Sequence, residues 1–304
     1  MDAPPRATVS AVAALTLAPA LWAGNFVIGR SVHAATDPLT LNLLRWMLAT
    51  LLLLPVLVAH RAAVAAALRR AWAGVLVLAA LGVVGFNTVL YAGLSRTGAG
   101  EAGVLIGVAP LLIVGVSAMW SRQAPALRAG LGGLLGLGGV AAIAVNDGAR
   151  AGAQGLAGPA LVLLAALVWA LYTVGLRRIP LGLPPFPALA LLSLAGTALM
   201  LPALPWLDPL ATLARPGVPL AIGYLGIGAS VLAFWFWQLG VAAIGADRSG
   251  VFLNLIPAFG VALGALILGE AVTPAKLTGL ALILGGVWIA QTAGAPGRAA
   301  AERG

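Results

Sequence analysis

The chain of 304 residues has no cysteine, two histidines and eight acidic side chains. Without cysteine there is no disulfide, no thiolate nucleophile and no Cys-ligated metal, and His33 and His60 are too few for a histidine cluster. Charge of either sign is scarce: Asp, Glu, Lys and Arg make up 8% of the residues, against about one-quarter in an ordinary soluble domain. A surface so poor in charge is not mostly wetted by water, which excludes a soluble enzyme. The 62% hydrophobic content and mean hydropathy of +1.06 exclude a disordered chain in the same way. No phosphate-binding GxxxxGK[ST] loop is present, so ATP does not drive this chain directly.

Glycine, by contrast, is abundant at 40 residues, with 20 prolines. Lacking a collagen period, this profile suits tightly packed and locally broken membrane helices. The net charge of +9 comes from 17 Lys and Arg spread along the chain. They are not gathered on one face with aromatics between them, so no nucleic-acid partner is implied. Arg6, the apolar run after it and Ala18-Pro19-Ala20 imitate a cleavable signal,. The apolar stretch continues to Ile28, however, long enough to span a bilayer, and the segment reads as a retained first helix.

Apolar runs separated by charged or turn-rich breaks predict ten transmembrane helices, at residues 9–29, 38–59, 71–94, 98–120, 128–146, 158–176, 185–204, 218–240, 249–269 and 275–292. The expected fold class is therefore all-α and polytopic. The runs lack the period-2 alternation of a membrane barrel. With the N-terminus inside, eleven basic residues fall on cytoplasmic segments: Arg6, Arg61, Arg69, Arg70, Arg122, Arg128, Arg177, Arg178, Arg248, Arg298 and Arg303. Five fall outside (Arg30, Arg96, Arg150, Arg215 and Lys276), so both termini are expected to be cytoplasmic,.

Sliding the chain against itself by 147 residues superimposes Trp22 on Trp169, Arg30 on Arg177, Pro38 on Pro185, Pro55 on Pro202, Pro110 on Pro257 and Gly138-Gly139-Val140 on Gly285-Gly286-Val287. Each copy then holds five helices, and because five is odd the second copy enters the membrane in the opposite sense. The division expected is 1–147 and 148–304, two inverted repeats forming one transport unit.

Leu21-Trp22-Ala23-Gly24-Asn25-Phe26-Val27, Arg45, Pro110 and the run from Pro257 to Leu268-Gly269-Glu270, followed by Gly279 and Gly285-Gly286-Val287, carry a resemblance over nearly the whole chain. The sequence resembles the drug/metabolite transporter superfamily, in its ten-helix form made of two EamA-like halves, and is most similar to the amino-acid exporter branch. That resemblance implies a secondary transporter of small metabolites in a bacterial inner membrane, without a cofactor and without enzymatic activity. The first half departs from it in having Ser121-Arg122-Gln123 where the second has Leu268-Gly269-Glu270.

Polar and amphipathic groups inside a membrane are costly unless they line a cavity or pair. By depth they fall into two constellations. Trp22 and Asn25, Asn87 and Tyr91, and Glu101 lie toward the outer side; Trp169 and Tyr172, Trp235 and Gln238, Arg248 and Asn254 lie toward the inner side. Spacings of three or four place each pair on one helical face. These are the expected external and internal gates around a small-molecule substrate, with Pro110 and Pro257 as hinges. Aromatic faces with amides and hydroxyls suit a zwitterionic amino acid; a drug or other metabolite is the alternative cargo, and a non-transporting scaffold the alternative class. An intramembrane enzyme would need a nucleophile with a base, or paired acids, on a mid-membrane face. Arg45 is expected to snorkel or contact a carbonyl, Trp72, Trp120, Trp206 and Trp288 to anchor at the interface, and Glu270 to cap. No acid falls at the centre of a span, which leaves both proton coupling and facilitated diffusion open.

Overall fold

A computed structural model describes residues 5–122, 127–151, 155–245 and 249–291. Ten apolar helical segments are found among them: α1 (Pro5–Ser31), α2 (Pro38–Ala59), α3 (Arg61–Leu94), α4 (Ala99–Ser121), α5 (Leu127–Ala151), α6 (Ala157–Arg178), α7 (Pro185–Trp206), α8 (Val218–Ile244), α9 (Phe252–Leu268) and α10 (Pro274–Gln291). No strand occurs among the described residues. Seven of the helices are long and apolar enough to cross a bilayer, and three carry shorter apolar stretches, Gly130–Ala142, Phe252–Leu268 and Pro274–Ile289. Large apolar side chains cover the outside, among them Leu51, Val58 and Leu134; Trp72, Trp120, Trp206 and Trp288 are also exposed there, as anchors at a membrane–water boundary require.

Local chemistry sets the helix limits. α2 starts at Pro38, whose absent N–H is no loss at a first turn, behind Asp37, whose carboxylate accepts from Leu39 N at 3.0 Å and Thr40 N at 2.9 Å,. The basic stretch 61–70, expected as a loop, is helical and belongs to α3. Its Val64 and Ala67 are buried while its arginines point out, and the chain bends at Ala71, where φ is −139°.

Helices 147 residues apart lie antiparallel to one another. Between α2 and α7, Thr50 meets Thr197 hydroxyl to hydroxyl at 3.1 Å, while Asn42, two turns earlier, reaches Met200 Sδ at 3.5 Å. Between α4 and α9, Gly100, Gly103 and Gly107 run up one helix as Val261, Gly260 and Pro257 run down the other. A Cβ on Gly103 would stand 3.1 Å from Gly260 Cα, so the two backbones touch as only small residues allow,. Gly132 and Gly136 of α5 face Gly286 of α10, and Gly139 faces Gly279. The remaining helices cross over: α1 packs on α8, and α6 on α3. This is the geometry of two like units related by a pseudo-two-fold axis lying in the membrane plane.

Two helices contain a wider, π-helical stretch, at Ala80–Gly85 in α3 and Tyr224–Leu232 in α8. The first, moved by 147 residues, falls on 227–232, inside the second. Such turns leave carbonyls without their usual partners. Asn42 Nδ2 donates to Val83 O at 2.9 Å and Val84 O at 3.2 Å, Trp22 Nε1 donates to Ala229 O at 3.2 Å, and Ser230 Oγ donates to Leu225 O at 2.8 Å.

Candidate functional site: a cavity across the repeat axis

A cavity of about 420 Å³ lies between the two halves, within the range of small-molecule sites,. Residues paired by the 147-residue offset line it together: Trp22 and Trp169, Asn25 and Tyr172, Arg45 and Leu192, Asn87 and Phe234, Pro110 and Pro257. Its depth is closed and polar, with Asn25, Arg45, Trp46 and Asn87 all buried. Leu176, 38% exposed, and Arg177 stand at the opposite limit, beside the α6–α7 connection, which is where the cavity reaches the surface.

Arg45 organises the closed end. Only 4% exposed, it donates through Nε to Ser230 Oγ at 2.7 Å and through Nη1 to Asn25 Oδ1 at 2.9 Å, Asn87 Oδ1 at 2.7 Å and Tyr91 Oη at 2.7 Å. Tyr91 Oη in turn donates to Asn25 Oδ1 at 2.8 Å, and the guanidinium lies 5.2 Å from the Trp46 ring centroid. Helices α1, α2, α3 and α8 are thus joined through one cation whose acceptors are all neutral. The expectation that Arg45 snorkels or meets a carbonyl is corrected: it is held by side-chain oxygens at the closed end of the cavity.

The cavity walls are aromatic. Trp22 packs on Phe234 with ring centroids 5.2 Å apart and on Trp237 at 5.8 Å; Trp169 packs on Phe86 at 4.9 Å and on Tyr172 at 5.2 Å. Pairs at these separations contribute beyond their buried area.

Of the residues picked out in the sequence, Trp22, Asn25, Asn87, Trp169, Tyr172, Asn254, Pro110 and Pro257 line this one cavity, and Tyr91 stands behind it on Arg45. Three do not join them. Trp235 is 51% exposed and meets Phe186 edge to face at 5.7 Å, and Gln238 is half-buried away from the cavity. Phe234 and Trp237 take the inward places instead, and Phe234 is the 147-residue counterpart of Asn87, which also lines the cavity. Glu101 caps its own helix, accepting from Thr97 Oγ1 at 2.9 Å and Gly98 N at 3.2 Å, and lies 3.6 Å from Lys276 Nζ. Arg248 lies outside the described residues.

The prolines also sit differently from a mid-helix kink. α4 breaks at Gly107–Val108, and Pro110 occupies the first turn of the segment Ala109–Ser121. Pro257 falls in the first turn of Leu255–Leu268, after a 3-10 turn at Gly250–Asn254. Neither removes an interior hydrogen bond, because each stands where a helix restarts.

Beyond the polar pole the molecule is sealed. Glu270 accepts from Ala99 N at 2.6 Å and Gly100 N at 2.8 Å, at the start of α4, and lies 3.4 Å from Lys276 Nζ. Arg30 Nη1 donates to Leu94 O at 2.8 Å, and Arg215 Nη1 to Ala35 O at 2.6 Å. Glu270 therefore caps α4, a different helix from the one it follows. No group of three His, Asp or Glu able to hold a metal occurs among the described residues.

A duplicated helical bundle, apolar outside and enclosing one amphipathic cavity on its repeat axis, belongs to the class of membrane transporters. The chain is a member of the EamA-like transporter family, within the drug/metabolite transporter superfamily: that family matches residues 9–145 and again 156–292. It is 27% identical to the uncharacterized transporter YetK of Bacillus subtilis, over 92% of this chain and 86% of that protein. It is also 27% identical to a probable terminal-alkyne amino-acid exporter of Streptantibioticus cattleyicolor, over 69% of this chain and 70% of that one. A solved crystal structure, 26% identical, superimposes with a TM-score of 0.64, covering 93% of this chain and 97% of the other.

Proposed function

We propose that this transporter exports small amphipathic metabolites, amino acids foremost, by alternating access. The two halves, 1–147 and 148–304, act as one unit. The observation that carries the reading is a cavity lined by repeat-related residues, polar and sealed at one end and reaching the surface at the other. Inverted halves whose counterpart helices lie antiparallel have two equivalent arrangements available, one with each end open. Trp22, Asn25, Asn87, Trp169, Tyr172 and Asn254 are the contact residues of the cargo, and the restarts at Pro110 and Pro257 are the hinges.

Arg61, Arg69 and Arg70 at the start of α3, Arg122 at the end of α4, Arg128 at the start of α5, and Arg177 and Arg178 at the end of α6 lie toward the open end. Basic residues favour the cytoplasmic side, so the cavity is drawn facing the cytoplasm of an inner membrane, poised to load. The amino-acid cargo is supported by the site's mixture of amides, hydroxyls and aromatic faces and by the similarity to the amino-acid exporter.

Flux of radiolabelled amino acids in proteoliposomes, with and without a pH gradient, tests the reading. Saturable movement of large apolar amino acids is the expected result, and acceleration by the gradient would identify proton coupling. Movement of some other solute, with every amino acid excluded, would overturn the cargo assignment and leave the transporter standing.

A further inference from the structure

The charge balance of the cavity specifies its ligand more closely than its shape does. All four acidic residues whose side chains are described have partners elsewhere. Asp37 caps α2, Asp208 accepts from Ala211 N, and Glu101 and Glu270 share Lys276. Among the described residues no Asp or Glu lines the cavity, while Arg45 and Arg177 do. Arg45 is thus a buried cation without a counterion among the described residues. Its Nε and Nη1 are engaged by neutral oxygens, and Nη2 makes no hydrogen bond to any described residue. A guanidinium removed from water without an anion is costly, and its planar fork matches a carboxylate. A neutral side chain would tie α1, α2, α3 and α8 together at lower cost. The positive charge therefore calls for a partner that arrives.

Resting on the transport function proposed above, we infer that Arg45 is the receptor for a carboxylate on the transported molecule, which makes the carboxylate obligatory and an amine dispensable. The head group of the cargo sits at the closed end against Arg45. Its apolar body lies along Trp22, Phe86, Trp169 and Phe234 toward the mouth. Nothing in the lining pairs with an ammonium as an acid would; Asn254 and the ring faces are what it offers,. The cargo class is then monocarboxylates with an apolar body, of which amino acids are one kind.

Binding to the full-length protein, followed by quenching of its tryptophan fluorescence, and flux in proteoliposomes test this with four probes: phenylalanine, 3-phenylpropionate, phenethylamine and phenylalaninamide. The two carboxylates should bind, and the two probes without one should bind roughly ten- to a hundredfold more weakly, the loss expected for a charged hydrogen bond. Arg45→Gln should erase that preference. Because Arg45→Gln removes the hub of four helices and risks misfolding, Asn87→Asp serves beside it. It puts an internal carboxylate where an oxygen already lies 2.7 Å from Nη1, and should keep the fold while weakening 3-phenylpropionate about tenfold or more. A purely structural Arg45 would lower stability in these variants without changing the ratio between carboxylate and amine probes. Equal binding of phenethylamine and 3-phenylpropionate by the unaltered protein would overturn the inference, as would binding of none of the four. If 3-phenylpropionate binds and moves while every amino acid fails, the amino-acid reading falls and the role of Arg45 stands.

Discussion

The two poles of the cavity come from equivalent positions in the two halves, yet they differ in chemistry. Asn25, Arg45 and Asn87 in the first half correspond to Tyr172, Leu192 and Phe234 in the second. At these positions one half supplies a cation in a cage of oxygens, and the other supplies two rings, a phenolic hydroxyl and an aliphatic side chain. In the mechanism proposed above, the backbone symmetry supplies the motion and the loss of side-chain symmetry supplies the recognition. A cavity with like poles would leave its cargo free to bind either way round, whereas this one fixes which end leads.

Four changes would break or sharpen that contrast. The largest effect is expected from Leu192→Arg. Leu192 is 1% exposed and packs in an apolar cluster with Leu43, Ala49 and Leu53. With no cage waiting, a cation there costs several kcal/mol, of order 5. Size-exclusion chromatography in detergent should show aggregate and no monodisperse peak; a well-behaved variant would mean that the second pole is wet.

Trp169→Ala comes next. It removes the ring lodged between Phe86 and Tyr172 while leaving the polar pole untouched. Transport of aromatic cargo should fall at least about tenfold, ~1.4 kcal/mol, and preference for aromatic over aliphatic side chains should disappear, with the melting temperature little changed. Undiminished flux would remove Trp169 from the site.

Glu270→Gln addresses the two ends of the molecule. Ala99 N and Gly100 N donate to different oxygens of the carboxylate, so the amide can accept only one of them and no longer neutralises Lys276, weakening the sealed end by about 1–2 kcal/mol. Because the chain has no cysteine, Ala102→Cys, at a fully buried position, supplies a unique label. A membrane-impermeant maleimide should react with it faster in the Glu270→Gln background, and an unchanged rate would show that other contacts hold this end shut.

The smallest effect lies where the halves meet. Thr50→Val and Thr197→Val should each cost about 1 kcal/mol in thermal unfolding. The double variant should cost no more than either one, because both singles break the same hydrogen bond. Additive losses would place the two hydroxyls in separate interactions.

Much of this architecture is legible in the sequence, for reasons that differ between residues. Asp37-Pro38 marks a helix start so strongly that the expected limits of α2, 38–59, are those observed. Trp, Pro and Arg are rare enough that their recurrence 147 residues apart exposes the duplication, and Trp22 and Trp169 both line the cavity. Hydropathy was blind to the basic stretch 61–70, which continues α3 by burying only Val64 and Ala67. Helical spacing puts Trp235 and Gln238 together on one face of the segment Ala233–Ile244, but it does not tell which face turns inward, and Phe234 and Trp237 hold that place. Arg45 is legible as costly but not as central. Its meaning depends on Asn25, Asn87, Tyr91 and Ser230, which arrive from three other helices and share no sequence spacing with it.

The widened stretches at Ala80–Gly85 and Tyr224–Leu232 have a last consequence, one of phase. A π-helical turn inserts a residue into the winding, and every side chain beyond it is rotated by about 100° relative to an uninterrupted helix at 3.6 residues per turn. Winding 80–85 as an ordinary α-helix with every residue kept would swing Asn87 and Tyr91 off the guanidinium together, whereas deleting one residue along with the wide turn would leave them in place,. The polar cage is therefore timed by an extra residue, and the same offset in α8 brings Phe234 and Trp237 around to face it.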